Sequence, residues 1–264
     1  MLFNKKKKIR VVNIDGVISA TGSKGLLNQS EGSMAVLKIL HEIKNDDSIR
    51  GVLLRINSPG GTAGASQEIA NSVEAVRKAG KPVIASIADM ACSGGYMIAS
   101  VCDYIFANQM AMTGSIGVIM QIPNFKGISE KLGVTYNTIK AGEMKDIGNP
   151  VREMTEKERI YLTEMAEESH QEFIRMVQKY RTITNIEEMT DGRFVSAVIA
   201  KENGLIDEFG TYYDALEYLC KKLDVKEKDV KIIEDSKKKS FIGKILNLQA
   251  VVKELLQVTT ELKL

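Results

Sequence analysis

A serine followed at once by two glycines, Ser93-Gly94-Gly95, comes directly after an apolar run, and a lysine, Lys145, stands in a glycine-bearing stretch 52 residues further on. A serine hydroxyl is a weak nucleophile and needs a base. The usual base is histidine, but the chain holds only His41 and His170. Both fall on predicted helices, and His170, in Glu167-Glu168-Ser169-His170-Gln171, reads as part of a solvated face. Lysine can take the role when burial disfavours its ammonium form, and Ser–Lys pairs are a known variant of the triad logic. Most lysines here sit in charged runs or on polar helix faces. Lys145 lies instead in Ala141-Gly142-Glu143-Met144-Lys145-Asp146-Ile147-Gly148-Asn149-Pro150, a loop after the predicted strand Val134–Ile139, although spacing alone does not single it out. Cys92 has no histidine near it in sequence and reads as a small buried filler.

Two further segments could serve the same chemistry. Asn57-Ser58-Pro59-Gly60-Gly61 sits at the carboxyl end of the predicted strand Val52–Ile56, where open parallel sheets bind ligands. Its glycines let the backbone come close to a substrate, and the N–H of Gly61 with that of Gly94 would make a two-donor oxyanion hole. A plain turn and a plain serine N-cap explain the same residues. In Thr113-Gly114-Ser115-Ile116-Gly117-Val118, the hydroxyl of Ser115 could hold a lysine amine in place, or the segment could be a glycine-bearing bend.

The elements that must position these residues alternate along the chain. Strands are predicted at Ile9–Ile14, Val52–Ile56, Val83–Ala88 and Tyr104–Ala107. Helices are predicted at 32–44, at 64–79 with Gly80 as the stop, and over Tyr96–Ser100. This alternation implies parallel βαβ units in an α/β fold, with strands apolar enough to be covered on both faces. After a break at Pro150, Thr155 and Glu158 form a capping-box pattern opening a long helix to about Tyr180. Short helices near 196–203 and 212–222, a strand near Val230–Ile233 and an amphipathic helix over 241–258 complete the series.

Composition is that of an ordinary globular protein, with 44% hydrophobic and 27% charged residues. A net charge of +2 gives no general attraction to nucleic acid. The basic runs Lys5–Lys8 and Lys237–Lys239 read as solvated ends or as contacts with anionic lipid headgroups. No apolar run of about 18 residues encodes a transmembrane helix. The 3 cysteines do not read as a disulfide framework, which points to a reducing compartment.

Taken together and in order, the Asn57–Gly61, Ser93–Tyr96, Thr113–Val118 and Lys145-Asp146 motifs resemble the signal peptide peptidase A family, the protease IV-like serine peptidases. Asp191-Gly192-Arg193-Phe194 through Gly204-Leu205-Ile206-Asp207-Glu208-Phe209-Gly210 is similar to that family's closing segment. The resemblance spans roughly residues 9–222, the expected peptidase domain, between a basic tail over 1–8 and a strand-and-helix extension over 223–264. It implies a Clp-protease/crotonase-like α/β spiral, Ser93 as nucleophile, Lys145 as general base, Ser115 orienting the lysine, and Gly61 and Gly94 as oxyanion donors. It also implies hydrophobic peptide substrates such as cleaved signal peptides. A ring- or bowl-like homo-oligomer is expected, in which the dyad can be completed across a subunit interface. No cofactor or metal is called for, no nucleic acid is expected, and the expected location is cytoplasmic or peripheral at a membrane without a transmembrane anchor. Cys92 stands where the family commonly has alanine. A crotonase-like acyl-CoA enzyme, a phage head-maturation peptidase and a non-catalytic scaffold are the alternatives.

Overall fold

Three long parallel strands carry the architecture: β1 (Lys8–Ile18), β2 (Ile49–Gly61) and β3 (Val83–Cys92). A computed structural model describes residues 7–22 and 32–234, which lie, except for Glu234, in one compact unit, Met1–Ile233. The helices α1 (Ser33–Asn45) and α2 (Ala63–Lys78) connect the three strands. The helix α3 (Gly94–Ser100) leaves the end of β3. It is followed by β4 (Tyr104–Ala107) and β5 (Met112–Gly114), both parallel to β3.

The chain then runs through a short helix α4 (Lys126–Lys131) to the long α5 (Glu156–Gln178). The remaining elements are α6 (Ile186–Met189), β6 (Phe194–Ser196), α7 (Ala197–Glu202), β7 (Glu208–Phe209), α8 (Tyr212–Lys222) and β8 (Lys231–Glu234). Sheet order is β6-β5-β3-β2-β1-β8, with β4 beside β3 and β7 beside β4.

Alternation along the strands sorts the core into two layers. Val12, Ile14, Val52, Leu54, Ile56, Ala85 and Ile87 pack against α1, α2 and α3. Their neighbours Ile9, Val11, Leu53 and Ile84 meet Leu216 and Leu219 of α8 on the other face. Each strand is thus apolar on both sides, as a covered parallel sheet requires. The predicted capping box is present: Thr155 Oγ1 accepts from the Glu158 N–H while Glu158 accepts from the Thr155 N–H. Thr211 and Asp214 form a second one at α8.

Several sequence-based expectations change. Val134–Ile139 is not a strand; the segment is irregular and exposed. Its β-branched residues have the propensity, but no neighbouring strand offers a ladder. β2 does not stop at Ile56 but continues through Gly61, and β3 runs on to Cys92. β6 pairs antiparallel with β5, so the sheet is mixed rather than all parallel. His170 is not on a solvated face: it is half-buried, with Nε2 2.9 Å from the carbonyl of Ile116. The expected helix over 241–258, the Lys237–Lys239 run and most of the basic tail lie outside the described residues. Among the described residues, no helix is long and apolar enough to cross a membrane.

Candidate active site

Ser93 is the single residue between the end of β3 and the start of α3, and its backbone sits at φ 50°, ψ −122°. That region is sparsely populated for a side-chain-bearing residue and costs on the order of 1–3 kcal/mol. A serine on a sharp strand-to-helix turn has the geometry of a nucleophile elbow, which pushes the hydroxyl out at the top of the sheet. The turn is held at both ends. Ser93 N–H donates to the Gly114 carbonyl (2.8 Å), and the Ser93 carbonyl accepts from Met97 N–H (2.9 Å). Behind it, Tyr96 is fully buried and donates to the carbonyl of Leu205 (2.9 Å), tying α3 to the chain after α7.

Close backbone approach explains the glycines. A Cβ on Gly60 (φ 103°) would stand 2.7 Å from Ser93 Cβ and 2.9 Å from Gly94 N. One on Gly61 would collide with the Ile18 carbonyl oxygen at 1.8 Å. One on Gly94 would lie 2.1 Å from Ser66 Oγ and 3.5 Å from the Gly61 nitrogen, so the Gly61 and Gly94 backbones meet beside Ser93. Gly94 opens α3, and its N–H has no acceptor within the helix.

Ser115 follows directly on Gly114, the residue that holds Ser93. It too has a positive φ, 52°. Its N–H donates to the Arg193 carbonyl (2.8 Å) and its hydroxyl to the Gly192 carbonyl (3.2 Å). Among the described non-glycine residues, the positive-φ positions are Ser93, Ser115, Asn185 and Asp224, so half of the strained positions are the serines named from sequence. The Asp191-Gly192-Arg193 segment therefore shapes the Ser115 turn, and His170 fixes the next residue, Ile116, through its carbonyl. Sequence reading missed both supports: Gly192 is 77 residues from Ser115 and His170 is 54 from Ile116, separations that leave no local pattern.

Lys145 belongs to a different kind of segment. It sits in a chain of turns between Gly142 and Gly148, its N–H donating to the Gly142 carbonyl (3.2 Å), and its side chain is exposed. Among the described residues its amine forms no hydrogen bond or ion pair, and none joins it to Ser93. Around it runs an arm, residues 118–154, that exposes Ile119, Phe125, Ile128, Leu132, Tyr136 and Ile139. Charge stitches this arm together. Asp146 accepts from Lys140 and from Arg152 Nε (2.8 Å), and Arg152 reaches on to Glu158 Oε2 (2.9 Å). Arg152 and Lys140 hold the Asp146 carboxyl well below the usual carboxylate range. Arg152, with the Thr155 N–H, brings Glu158 down to about 2.

The alternative nucleophile, Cys92, and the alternative base, His41, fall away. Cys92 is half-buried, and burial pushes its thiol pKa up, away from the thiolate a nucleophile needs. His41 lies on an exposed face of α1, bonded to Asn45. Along the β5–β6 edge lies an apolar groove of about 590 Å³ lined by Met110, Met112, Met189, Phe194, Val198 and Ile199.

The model of the family described as "Peptidase family S49" matches residues 75–226, a span that holds Ser93, Ser115 and Lys145. A putative protease of Methanocaldococcus jannaschii is 40% identical over 193 residues, covering 72% of this chain and 62% of that protein. A putative signal peptide peptidase SppA of Enterococcus faecium is 38% identical over 231 residues, covering 86% and 67%. Protease 4 of Haemophilus influenzae is 35% identical over 222 residues, covering 81% of this chain but 34% of that protein. The chain thus spans less than two thirds of the first of these relatives and about one third of the last.

Proposed function

The chain belongs to peptidase family S49, whose α/β Clp-protease-like fold it shares, and from that premise we propose that it is a serine endopeptidase working through a Ser93–Lys145 dyad on hydrophobic peptides such as cleaved signal peptides. The observation that carries this reading is the strained elbow at Ser93, φ 50° and ψ −122°, beside the Gly61 and Gly94 backbones. Strain of this kind persists only where surrounding structure imposes it. A crotonase-like chemistry would use the glycine amides and leave a strained serine without purpose.

In the reaction, neutral Lys145 takes the Ser93 proton as Oγ attacks the peptide carbonyl. The Gly61 and Gly94 amides receive the oxyanion, and a single such donor is worth on the order of 10²–10³ in rate. The lysine then protonates the leaving amine, and the acyl-enzyme is hydrolysed by a water the lysine activates. Ser115 orients the amine once Lys145 is in place. The apolar groove on the β5–β6 edge supports hydrophobic substrates.

The base must be neutral, and removal from water is what favours the neutral form. Within one chain Lys145 is exposed, on an arm rich in exposed apolar side chains. The reading therefore includes a ring- or bowl-like homo-oligomer in which the arm is buried by a neighbouring copy and its lysine joins that copy's Ser93. The test is hydrolysis of an apolar fluorogenic peptide together with fluorophosphonate labelling. Wild type should do both and Ser93→Ala neither; hydrolysis at wild-type rate by Ser93→Ala would sink the reading.

A further inference from the structure

We infer that Ser58 is a positioning residue for the oxyanion hole, the side chain that sets where the Gly60-Gly61 backbone stands against the Ser93 elbow; this rests on the peptidase reading above. Ser58 is fully buried. Its hydroxyl donates to the Gly16 carbonyl (2.6 Å), and its oxygen accepts from the Gly60 N–H (3.1 Å). Both bonds occur where the sheet loses its register. Between β1 and β2 the pairing jumps from Asp15–Asn57 to Val17–Gly60, leaving Gly16 opposite Ser58 and Pro59. Between β2 and β3 it jumps from Ile56–Ile87 to Ser58–Ala91.

Bulges of this kind leave backbone groups without ladder partners and re-aim the chain. Here the Ser58 hydroxyl stands in for the ladder, taking up one carbonyl of β1 and one N–H of β2. The same residue also lies close to Gly95, the neighbour of the second donor. A Cβ on Gly95 would lie 3.0 Å from the Ser58 carbonyl oxygen and 3.3 Å from Ser58 Cβ, so Ser58 stands between the Gly60-Gly61 backbone and the first turn of α3 at Gly95. No other polar side chain among the described residues hydrogen-bonds Gly60 or Gly61. Ser58 does not reach the reacting atoms; it acts through the amides.

An effect on the hole alone predicts a particular signature. Charge on the carbonyl oxygen develops in the transition state, so a displaced donor lowers kcat and leaves ground-state binding alone. Ser58→Ala should lower kcat by roughly 10- to 100-fold, below the loss of a whole donor, with KM within about twofold. It should weaken a peptide aldehyde, which places an oxyanion in the hole, by a similar factor. Binding of an uncleaved peptide, measured on the Ser93→Ala background with and without Ser58→Ala, should not change. Circular dichroism and the melting curve show whether the variant is folded, and Ser58→Thr, which keeps the hydroxyl, should recover part of the lost kcat.

A folded Ser58→Ala with wild-type kcat and aldehyde affinity overturns the role of Ser58 alone. So does a loss confined to KM, or a loss that Ser58→Thr does not relieve at all. A wild-type chain that neither cleaves peptide nor takes a fluorophosphonate overturns the peptidase reading, and the role of Ser58 with it.

Discussion

The elbow and the arm are built on opposite terms. Ser93, Gly60, Gly61 and Gly94 are locked by backbone against backbone. A single methyl added at Gly61 would meet a carbonyl oxygen at 1.8 Å, and the Ser93 backbone is held in a strained state. The arm over 118–154 has no such packing. It is held by the Lys140–Asp146–Arg152–Glu158 charge chain, and one apolar side chain on it, Ile139, is wholly exposed. In the proposed reading, the Ser93 turn and the glycine amides beside it are built within one chain, while Lys145 is carried on an exposed segment. Preorganised donors are what electrostatic catalysis requires. A base supplied by a neighbouring copy, as proposed, would add control, because a chain alone would hold the serine and its donors and still be inert.

The largest effect should come from removing either half of the proposed dyad. Ser93→Ala and Lys145→Ala should each lower peptide hydrolysis by about 10⁴-fold or more, as groups that act as a unit do. The two variants then sharpen the comparison when mixed. If each site takes its serine from one copy and its lysine from the next, a random one-to-one mixture pairs intact partners at about one site in four. Activity returning toward that fraction supports a base supplied by a neighbour; a mixture as dead as its parts, after subunit exchange has been demonstrated, places the dyad within one chain.

Glycine-to-alanine changes probe the same difference at smaller scale. Gly61→Ala forces backbone to move and should be the most damaging, costing roughly 1–3 kcal/mol as overpacking does and abolishing most activity. Gly94→Ala clashes with Ser66 Oγ at 2.1 Å and Ser66 Cβ at 2.8 Å, so turning the hydroxyl away does not clear it and α2 must shift slightly, but its nearest main-chain atom, the Gly61 nitrogen, is 3.5 Å away. It should therefore melt above Gly61→Ala while still losing activity. Gly142→Ala on the arm finds its nearest atom at 4.0 Å and pays only for a positive φ of 95°, about 1–2 kcal/mol. Melting temperatures in the order Gly142→Ala, Gly94→Ala, Gly61→Ala, from highest to lowest, are expected; an arm variant that melts lowest would erase the distinction between the two regions.

That distinction also governs what the sequence could reveal. The strand–helix alternation is legible because apolar residues of both parities mark covered strands, and Thr155 with Glu158 announces a helix start locally. The glycines mark places where the backbone takes an unusual course, which glycine supplies, but with the serine they are read as a set only through the family resemblance. The supports are not. Ser115 rests on Gly192, Ile116 on His170 and Tyr96 on Leu205, each a long-range hydrogen bond to a main-chain carbonyl, which any residue type can offer. The arm misled in the other direction: Val134–Ile139 has strand propensity, but propensity needs a partner strand, and pairing is not written in a local window.

The smallest expected effect tests the charge chain itself. Glu158 is buried, accepts from Arg152 Nη1 (2.9 Å) and the Thr155 N–H (2.9 Å), and titrates at about 2 in place of the ordinary 4.5. A carboxyl whose folded pKa is depressed stabilises the fold above its unfolded pKa, and that contribution is lost as pH falls through the folded value. Glu158→Gln keeps the shape and one acceptor for the cap but carries no charge for Arg152. Its melting temperature should lie below wild type at pH 7, and the gap should narrow as pH drops from about 4.5 toward 2, where wild type loses the same charge. Gly61→Ala, whose damage is steric, should show a gap that does not close over that window. A Glu158→Gln deficit that stays constant from pH 7 to about 2.5 would mean that packing, and not charge, holds the root of the arm to α5.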